Sequence, residues 1–166
     1  MIRTILILCF TMLVSCNGVA QKKDKVETKK ETKFKVTKTD AEWRKQLLAL
    51  QYNVLREAGT ERAFTSSLLE NKQVGTYVCV GCDTPLFKSE HKFKSGTGWP
   101  SFTKPLVKDN IKEETDFKLI FPRTEVRSKF GDSHLGHVFK DGPKPTGLRY
   151  CLNSASLEFI PVKDLK

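Results

Sequence analysis

The sequence predicts a mainly β domain of short antiparallel strands, preceded by helix. Three observations carry that expectation. Helical periodicity is confined to one stretch that opens at Thr39, and it disappears after Gly59. Beyond that point, turn residues punctuate short runs rich in Val, Phe, Tyr and Ile, the pattern of antiparallel strands. The run from Leu148 to Asn153 alternates with period two, so successive side chains take opposite faces.

The helical stretch begins with Thr39-Asp40-Ala41-Glu42, which has the spacing of a capping box. Trp43, Leu47, Leu50 and Val54 recur at helical spacing on one face. Glu42, Arg44, Lys45, Arg56 and Glu57 lie largely off it, and Gly59 supplies a stop. One helix, or two short ones in sequence, follows, and the stripe reads as core packing without chemistry. The expected strands are Gly75-Thr76-Tyr77-Val78, Leu86-Phe87, Phe117-Lys118-Leu119-Ile120-Phe121, and the stretch Gly147 to Ile160. Gly142-Pro143-Lys144-Pro145-Thr146-Gly147 is a loop by composition. In the run from Leu148 to Asn153, Leu148, Tyr150 and Leu152 are expected to face the core. Arg149, Cys151 and Asn153 then share the other face. A thiol flanked by a guanidinium and an amide sits in an electropositive, hydrogen-bonding setting that favours the nucleophilic thiolate. An inert buried cysteine conflicts with this strand phase.

The 166 residues are enough for one domain with a real core and too few for two. Residues 1–16 stand apart from it. Arg3 is a minimal positive start, and the apolar stretch Ile5 to Val14 is far shorter than the roughly twenty residues that span a bilayer. It reads as the apolar region of a secretory signal. It ends in Leu13-Val14-Ser15-Cys16, which resembles the lipobox of bacterial lipoproteins. Cys16 is then the acylated mature N-terminus, and several acyl chains anchor stably where one does not. The expected location is periplasmic, lipid-anchored to a bacterial membrane. Residues 17–39 read as a flexible Lys-rich tether, too polar to offset the entropy of ordering, and the folded domain spans 40–166. Residues 17–40 hold eight lysines and four carboxylates, while the remainder from Ala41 holds twenty basic and fifteen acidic residues. Much of the net +10 thus belongs to the tether. No basic face interleaved with aromatics argues for nucleic acid.

Cysteine position sorts the five thiols. Cys9 leaves with the signal segment and Cys16 takes lipid, so Cys79, Cys82 and Cys151 remain in the domain. An odd thiol in an exported protein points to a reactive one, here Cys151. His134 and His137 lie close together in Ser133-His134-Leu135-Gly136-His137-Val138-Phe139. Metal ligation is the weaker reading of the pair, because no third ligand stands at a recognisable spacing, although Asp141 is near. Proton transfer beside a cysteine nucleophile fits better. In Lys94-Ser95-Gly96-Thr97-Gly98-Trp99-Pro100-Ser101-Phe102 the glycines permit close backbone approach, and Trp99 offers a flat apolar wall to a thioether-like methyl group.

Five ordered segments carry a family resemblance that covers about Trp43 to Phe159. They are Tyr52-Asn53-Val54-Leu55-Arg56, Gly59-Thr60-Glu61, Ser95 to Phe102, His134 to Phe139 with Asp141-Gly142-Pro143, and Arg149-Tyr150-Cys151-Leu152-Asn153-Ser154. Together they resemble the B-type methionine sulfoxide reductases. The resemblance implies two antiparallel β-sheets with short N-terminal helices, and activity on the R epimer of methionine sulfoxide in proteins, since one enzyme serves each epimer. It implies Cys151 as nucleophile, with Arg149 and Asn153 setting its charge and orientation. It also implies that His134 and His137 protonate the sulfoxide oxygen, that Trp99 receives the substrate methyl, and that Asp141 supports the network. Cys151 would pass through a sulfenic acid.

The chain departs from the family pattern at three places. Zinc-bearing members have a second Cys-x-x-Cys pair where this sequence has Ser128-Lys129-Phe130-Gly131, so Cys79-Val80-Gly81-Cys82 stands alone. Two thiolates do not close a tetrahedral site, and no tightly bound zinc or other metal is expected. The orphan pair is a vestige, a local disulfide or a redox relay. Thr97 occupies the place of the resolving cysteine of many members, so an external thiol, thioredoxin-like or glutathione-like, is the expected reductant. Ile120-Phe121 replaces a common Gly-Met, which alters the pocket rim. Oxidised proteins are the expected partners of a monomer. A non-catalytic β-fold binding module and a thiol peroxidase using Cys151 are the competing readings.

Overall fold

The structure, a computed structural model, describes residues 36–164. Cys16, the expected signal segment and nearly all of the tether lie outside the described residues. Thr39 caps helix α1 (Asp40–Gln46) as its spacing predicts. Its hydroxyl accepts the Glu42 amide, and the Glu42 carboxylate accepts the Thr39 amide at 2.7 Å. Helix α2 (Ala49–Glu57) follows after a break at Leu47 and Leu48, giving two short helices in sequence. The break rotates the apolar stripe. Trp43, Leu47 and Val54 are buried, but Leu50 is 51% exposed, and Tyr52 and Leu55 fill the core in its place. The left-handed residue that ends α2 is Ala58, with φ 52°, one residue before the expected Gly59.

Nine strands follow among the described residues: β1 (Gly75–Cys79), β2 (Pro85–Lys88), β3 (Lys92–Phe93), β4 (Ser101–Phe102), β5 (Ile111–Asp116), β6 (Arg123–Ser128), β7 (Ser133–Phe139), β8 (Arg149–Leu152) and β9 (Leu157–Pro161). They form two antiparallel sheets, one ordered β2-β1-β9 and the other β3-β4-β8-β7-β6-β5. The mainly β fold of two antiparallel sheets with short N-terminal helices is therefore the observed one. Side chains of both sheets meet in an aromatic cluster. Phe102 stacks on Phe87 at 4.7 Å and meets Tyr77 edge-on at 5.0 Å, while Tyr150 tilts against Phe87 at 5.6 Å. Each such ring, once removed from water, stabilises the fold by about 1.5–3 kcal/mol.

Two strand expectations are corrected. Phe117 to Phe121 is not a strand but the loop between β5 and β6, and its large side chains are exposed. An apolar run this short has the composition of a buried strand, and periodicity cannot separate the two. The stretch Gly147 to Ile160 divides after Leu152, so β8 and β9 belong to different sheets. A single turn over Ser154–Ser156 carries the chain from one to the other. The expected loop over 142–147 is observed, closed by a bond from the Gly142 amide to the Gly147 carbonyl at 3.0 Å.

Candidate active site

Cys151 lies in β8, in the middle of the six-stranded sheet. Across one ladder it stands opposite Ser101 of β4, and across the other opposite His137 of β7. Directly opposed residues of antiparallel strands share a face, so the thiol, the Ser101 hydroxyl and the His137 imidazole emerge together. A cleft of about 130 Å³ opens there, lined by Trp99, Arg123, His137, Phe139, Cys151 and Asn153 among others. A larger hollow of about 350 Å³ behind the glycine turn includes neither Cys151 nor either clustered histidine. The chemistry follows the thiol rather than the volume.

Close approach of β7 to β8 requires glycine at position 136. A Cβ on Gly136 would meet the Cys151 carbonyl oxygen at 2.1 Å and Leu152 Cα at 2.9 Å. The turn before β4 uses Gly96 and Gly98 at φ 78° and 90°, and brings the Thr97 hydroxyl to 3.8 Å from Cys151 Sγ. Thr97, Ser95 and Ser101 form a hydroxyl chain, with oxygens 2.9 Å and 2.8 Å apart.

Each histidine is oriented by its own carboxylate. His137 Nε2 lies 2.8 Å from Asp116 Oδ2, and His134 Nδ1 lies 2.5 Å from Glu125 Oε1. The two rings meet edge-on with centroids 5.5 Å apart. Burial pushes the His137 imidazole below its ordinary range, and the neighbouring Arg123 and His134 add to this against the pull of Asp116. Asp116 is held well below the usual carboxylate range by the Lys118 backbone amide first, then by His137, with Arg123 adding to both against the effect of burial. For Glu125, burial opposes ionisation, but the His134 hydrogen bond and the Arg127 charge outweigh it and bring the carboxyl to about 2. His134 is buried, and its Nε2 has no hydrogen-bond partner among the described residues.

Tyr150 and Leu152 face the core with Leu148 packed against it, as the alternation predicts, and Arg149 is buried on the opposite, Cys151 face of β8. Its guanidinium donates through Nε and Nη2 to both oxygens of Asp141, at 2.9 and 2.8 Å, and lies 4.5 Å from the centre of the Phe139 ring. Asp141 therefore supports Arg149 and not the imidazoles. Asn153 is buried too. Its Oδ1 accepts the Glu61 amide at 3.1 Å and its Nδ2 donates to the Leu135 carbonyl at 3.2 Å, so the amide fixes the chain after β8. Trp99 is anchored by its Nε1, which donates to the Glu61 carbonyl at 3.2 Å.

The SelR domain family matches residues 47–161. Over 125 residues the chain is 56% identical to the peptide methionine sulfoxide reductase MsrB of Hahella chejuensis (strain KCTC 2396), covering 75% of this chain and 90% of that protein. It is 52% identical over 132 residues to the MsrB of Bradyrhizobium diazoefficiens (strain JCM 10833 / BCRC 13528 / IAM 13628 / NBRC 14792 / USDA 110), covering 80% and 95%. With the chloroplastic peptide methionine sulfoxide reductase B1 of Oryza sativa subsp. japonica it shares 56% over 126 residues, which span 75% of this chain and 58% of that protein. The chain belongs to the B-type methionine sulfoxide reductases.

In this reductase the structure gathers Cys151, His137, Trp99 and Asn153 around one cleft, with Arg149 and Asp141 at the next strand position and His134 behind His137. Sequence reasoning missed Asp116, Glu125 and Arg123, and it quoted Glu61 without a role. Asp116 and Arg123 face each other across the β5–β6 ladder and pair at 2.6 Å. Reading residues 117–121 as a strand hid that hairpin. Glu61 is buried, and its carboxylate accepts the Ser154 and Ala155 amides at 2.5 and 2.8 Å, so it ties Trp99 and Asn153 to the end of β8.

The reductase's other two described cysteines lie in the smaller sheet, Cys79 at the end of β1 and Cys82 in the turn that follows, and both thiols are free. Of the three readings left open for the pair, a formed disulfide is not what the structure contains. Cys82 Sγ lies 3.1 Å from both the Thr84 and Ser128 hydroxyls, and a Cβ on Gly131 would stand 3.0 Å from it. Ser128 and Gly131 thus converge on Cys82. Hydrogen bonding from Cys79, aided by Ser128 and Thr84 against burial, lowers the Cys82 thiol to about 5, and the same contact with burial raises Cys79.

Proposed function

We propose that this chain reduces the R epimer of methionine sulfoxide in oxidised polypeptides, with Cys151 as the nucleophile. The observation that carries the reading is the placement of Cys151 and His137 at one rung of the β7–β8 ladder, under a cleft walled by Trp99. Held on one face, sulfur and imidazole can divide the work of attack and protonation. The Cys151 thiolate attacks the oxidised sulfur while a proton passes from the imidazolium to the sulfoxide oxygen. The hydroxyl then passes to Cys151: the substrate sulfur–oxygen bond and the new sulfur–sulfur bond break, a Cys151 sulfur–oxygen bond forms, methionine leaves as a thioether, and Cys151 is left as a sulfenic acid. Methionine sulfur gains two electrons and Cys151 loses two. His134, oriented by Glu125, and Arg149, clamped by Asp141, complete the charge balance around the step. Trp99 receives the methyl group, and Asn153 positions the chain bearing the thiol.

An external thiol then condenses with the sulfenic acid, releasing water, and a second thiol frees Cys151 by exchange. A thioredoxin-like or glutathione-like reductant fits this chain. Thr97 stands beside the thiol where an internal cysteine would act, and Cys79 and Cys82 belong to the other sheet, at the end of β1 and in the turn after it. The donor set at Cys82 does not fit structural zinc: two thiols, a serine hydroxyl and a glycine leave the tetrahedron short of nitrogen or sulfur ligands. No step is assigned to a metal. The reductase acts as a monomer in this reading.

The test uses the protein with dithiothreitol and the separated epimers of a blocked methionine sulfoxide. The R epimer is consumed and the S epimer is not, and Cys151→Ser abolishes turnover. Turnover that survives Cys151→Ser ends the assignment. For residues 1–16 and 17–39 the proposal is a signal segment acylated at Cys16 and a lysine-rich tether, anchoring the reductase in the periplasm, supported by the Leu13-Val14-Ser15-Cys16 sequence. Labelled fatty acid should enter the wild-type chain and not Cys16→Ala.

A further inference from the structure

The loop between β5 and β6 presents four large apolar side chains to the surface. Phe117 is 75% exposed, Leu119 58%, Ile120 94% and Phe121 79%. Single exposed apolar residues are ordinary, but four within five positions form a patch of the kind that marks interaction sites. Both ends of the loop are fastened to the active site. Asp116, directly before it, accepts the Lys118 amide at 2.9 Å, pairs with Arg123 at 2.6 Å, and holds His137 at 2.8 Å. Arg123 and His137 line the cleft over Cys151. The apolar loop therefore springs from two residues of the active site, one that lines the cleft and one that holds its imidazole.

The geometry points to this loop as the docking surface for apolar residues that flank the sulfoxide in an oxidised polypeptide. The inference rests on the reading of Cys151 as the methionine sulfoxide nucleophile. The chemistry of the occupant follows from the substrate. Methionine is commonly an interior side chain, and its oxidation to a polar sulfoxide disrupts the core around it. The residues exposed beside it in a damaged chain are then apolar, and extended apolar segments are what an apolar loop removes from water.

The test compares wild type with the double variant Ile120→Ser, Phe121→Ser, using dithiothreitol as the only reductant. Both side chains lie largely in solvent, so melting temperature should be unchanged. The substrates are a blocked methionine-R-sulfoxide and two equal-length peptides, one with leucine and phenylalanine around the sulfoxide and one with serine and glycine. Wild type is expected to favour the apolar peptide. The variant should lose about ten-fold more in kcat/KM on it than on the other two substrates, mainly through KM. Equal rates on both peptides in wild type overturn the inference. An equal loss on all three substrates also overturns it, because the loop would then act on His137 through Asp116. Failure of wild type on the blocked amino acid instead removes the underlying reading of Cys151. Unchanged peptide kinetics with lost binding to phosphatidylglycerol vesicles would reassign the loop to a membrane. Unchanged kinetics with a halved mass by light scattering would reassign it to self-association.

Discussion

The Asp116 carboxylate holds the His137 imidazole from the last residue of β5, 2.8 Å from Nε2, while Arg123 pairs with the same oxygen at 2.6 Å from the first residue of β6. The imidazole that lines the cleft is thus aimed by a hairpin closure and not by its neighbours in sequence. Its protonation is a balance. Burial, Arg123 and His134 favour the neutral ring, and Asp116 favours the imidazolium.

Asp116→Asn should therefore lower kcat/KM by about 10- to 100-fold, the equivalent of a lost charge-assisted hydrogen bond of about 1.5–3 kcal/mol. The pH profile gives the sign. A donor must be protonated, so kcat falls as pH rises through the His137 midpoint, and loss of the Asp116 charge moves that fall to lower pH. A profile whose alkaline limb does not move would show that His137 is not the titrating donor.

Glu125 makes a prediction about stability. Its carboxyl is lowered from an ordinary 4.5 to about 2, so its stabilising contribution is fully present above pH 4.5 and is lost as pH falls toward 2. Melting curves of wild type and Glu125→Gln should differ most near neutrality and converge across that window. A gap that persists at the acid end would trace to packing and not to charge.

Gly136→Ala tests the approach of β7 to β8. A methyl group 2.1 Å from the Cys151 carbonyl oxygen must push the strands apart. The expected cost is about 1–3 kcal/mol by urea unfolding, together with at least a ten-fold loss of kcat/KM because the displaced strand carries the thiol. Normal activity with lowered stability would show that Cys151 keeps its position when the ladder shifts.

Thr97→Cys tests the regeneration route. Its side chain would begin near the 3.8 Å separation now seen between Thr97 Oγ1 and Cys151 Sγ, within reach of a disulfide if the glycine turn adjusts. After one turnover without reductant, wild type should carry a sulfenic acid that dimedone traps. The variant should show little trapping and a new bridge between positions 97 and 151 by mass spectrometry. Equal trapping in both proteins would mean that the turn is too rigid to close.

Local chemistry was fully legible along the chain. The capping box at Thr39, the two-residue alternation around Cys151, the glycine turn and the paired histidines are all short-range patterns. Backbone geometry forces such patterns to act within a few residues, and ordered motifs carry a family resemblance for the same reason. The sequence by itself thus determined the mainly β class and pointed to Cys151, His134, His137 and Trp99, which the fold brings close together. It could not say which carboxylate serves which imidazole. Asp141 lies just after His137 in sequence yet binds Arg149, whereas Asp116 and Glu125 reach the imidazoles across ladders 21 and 9 residues apart. Register between strands is set by burial and turn placement over the whole sheet. An apolar run such as Phe117 to Phe121 looks the same whether the rest of the fold buries it or leaves it in water. Only the tertiary structure decided that it is an exposed loop between β5 and β6, because burial is a property of what surrounds a segment and not of the segment.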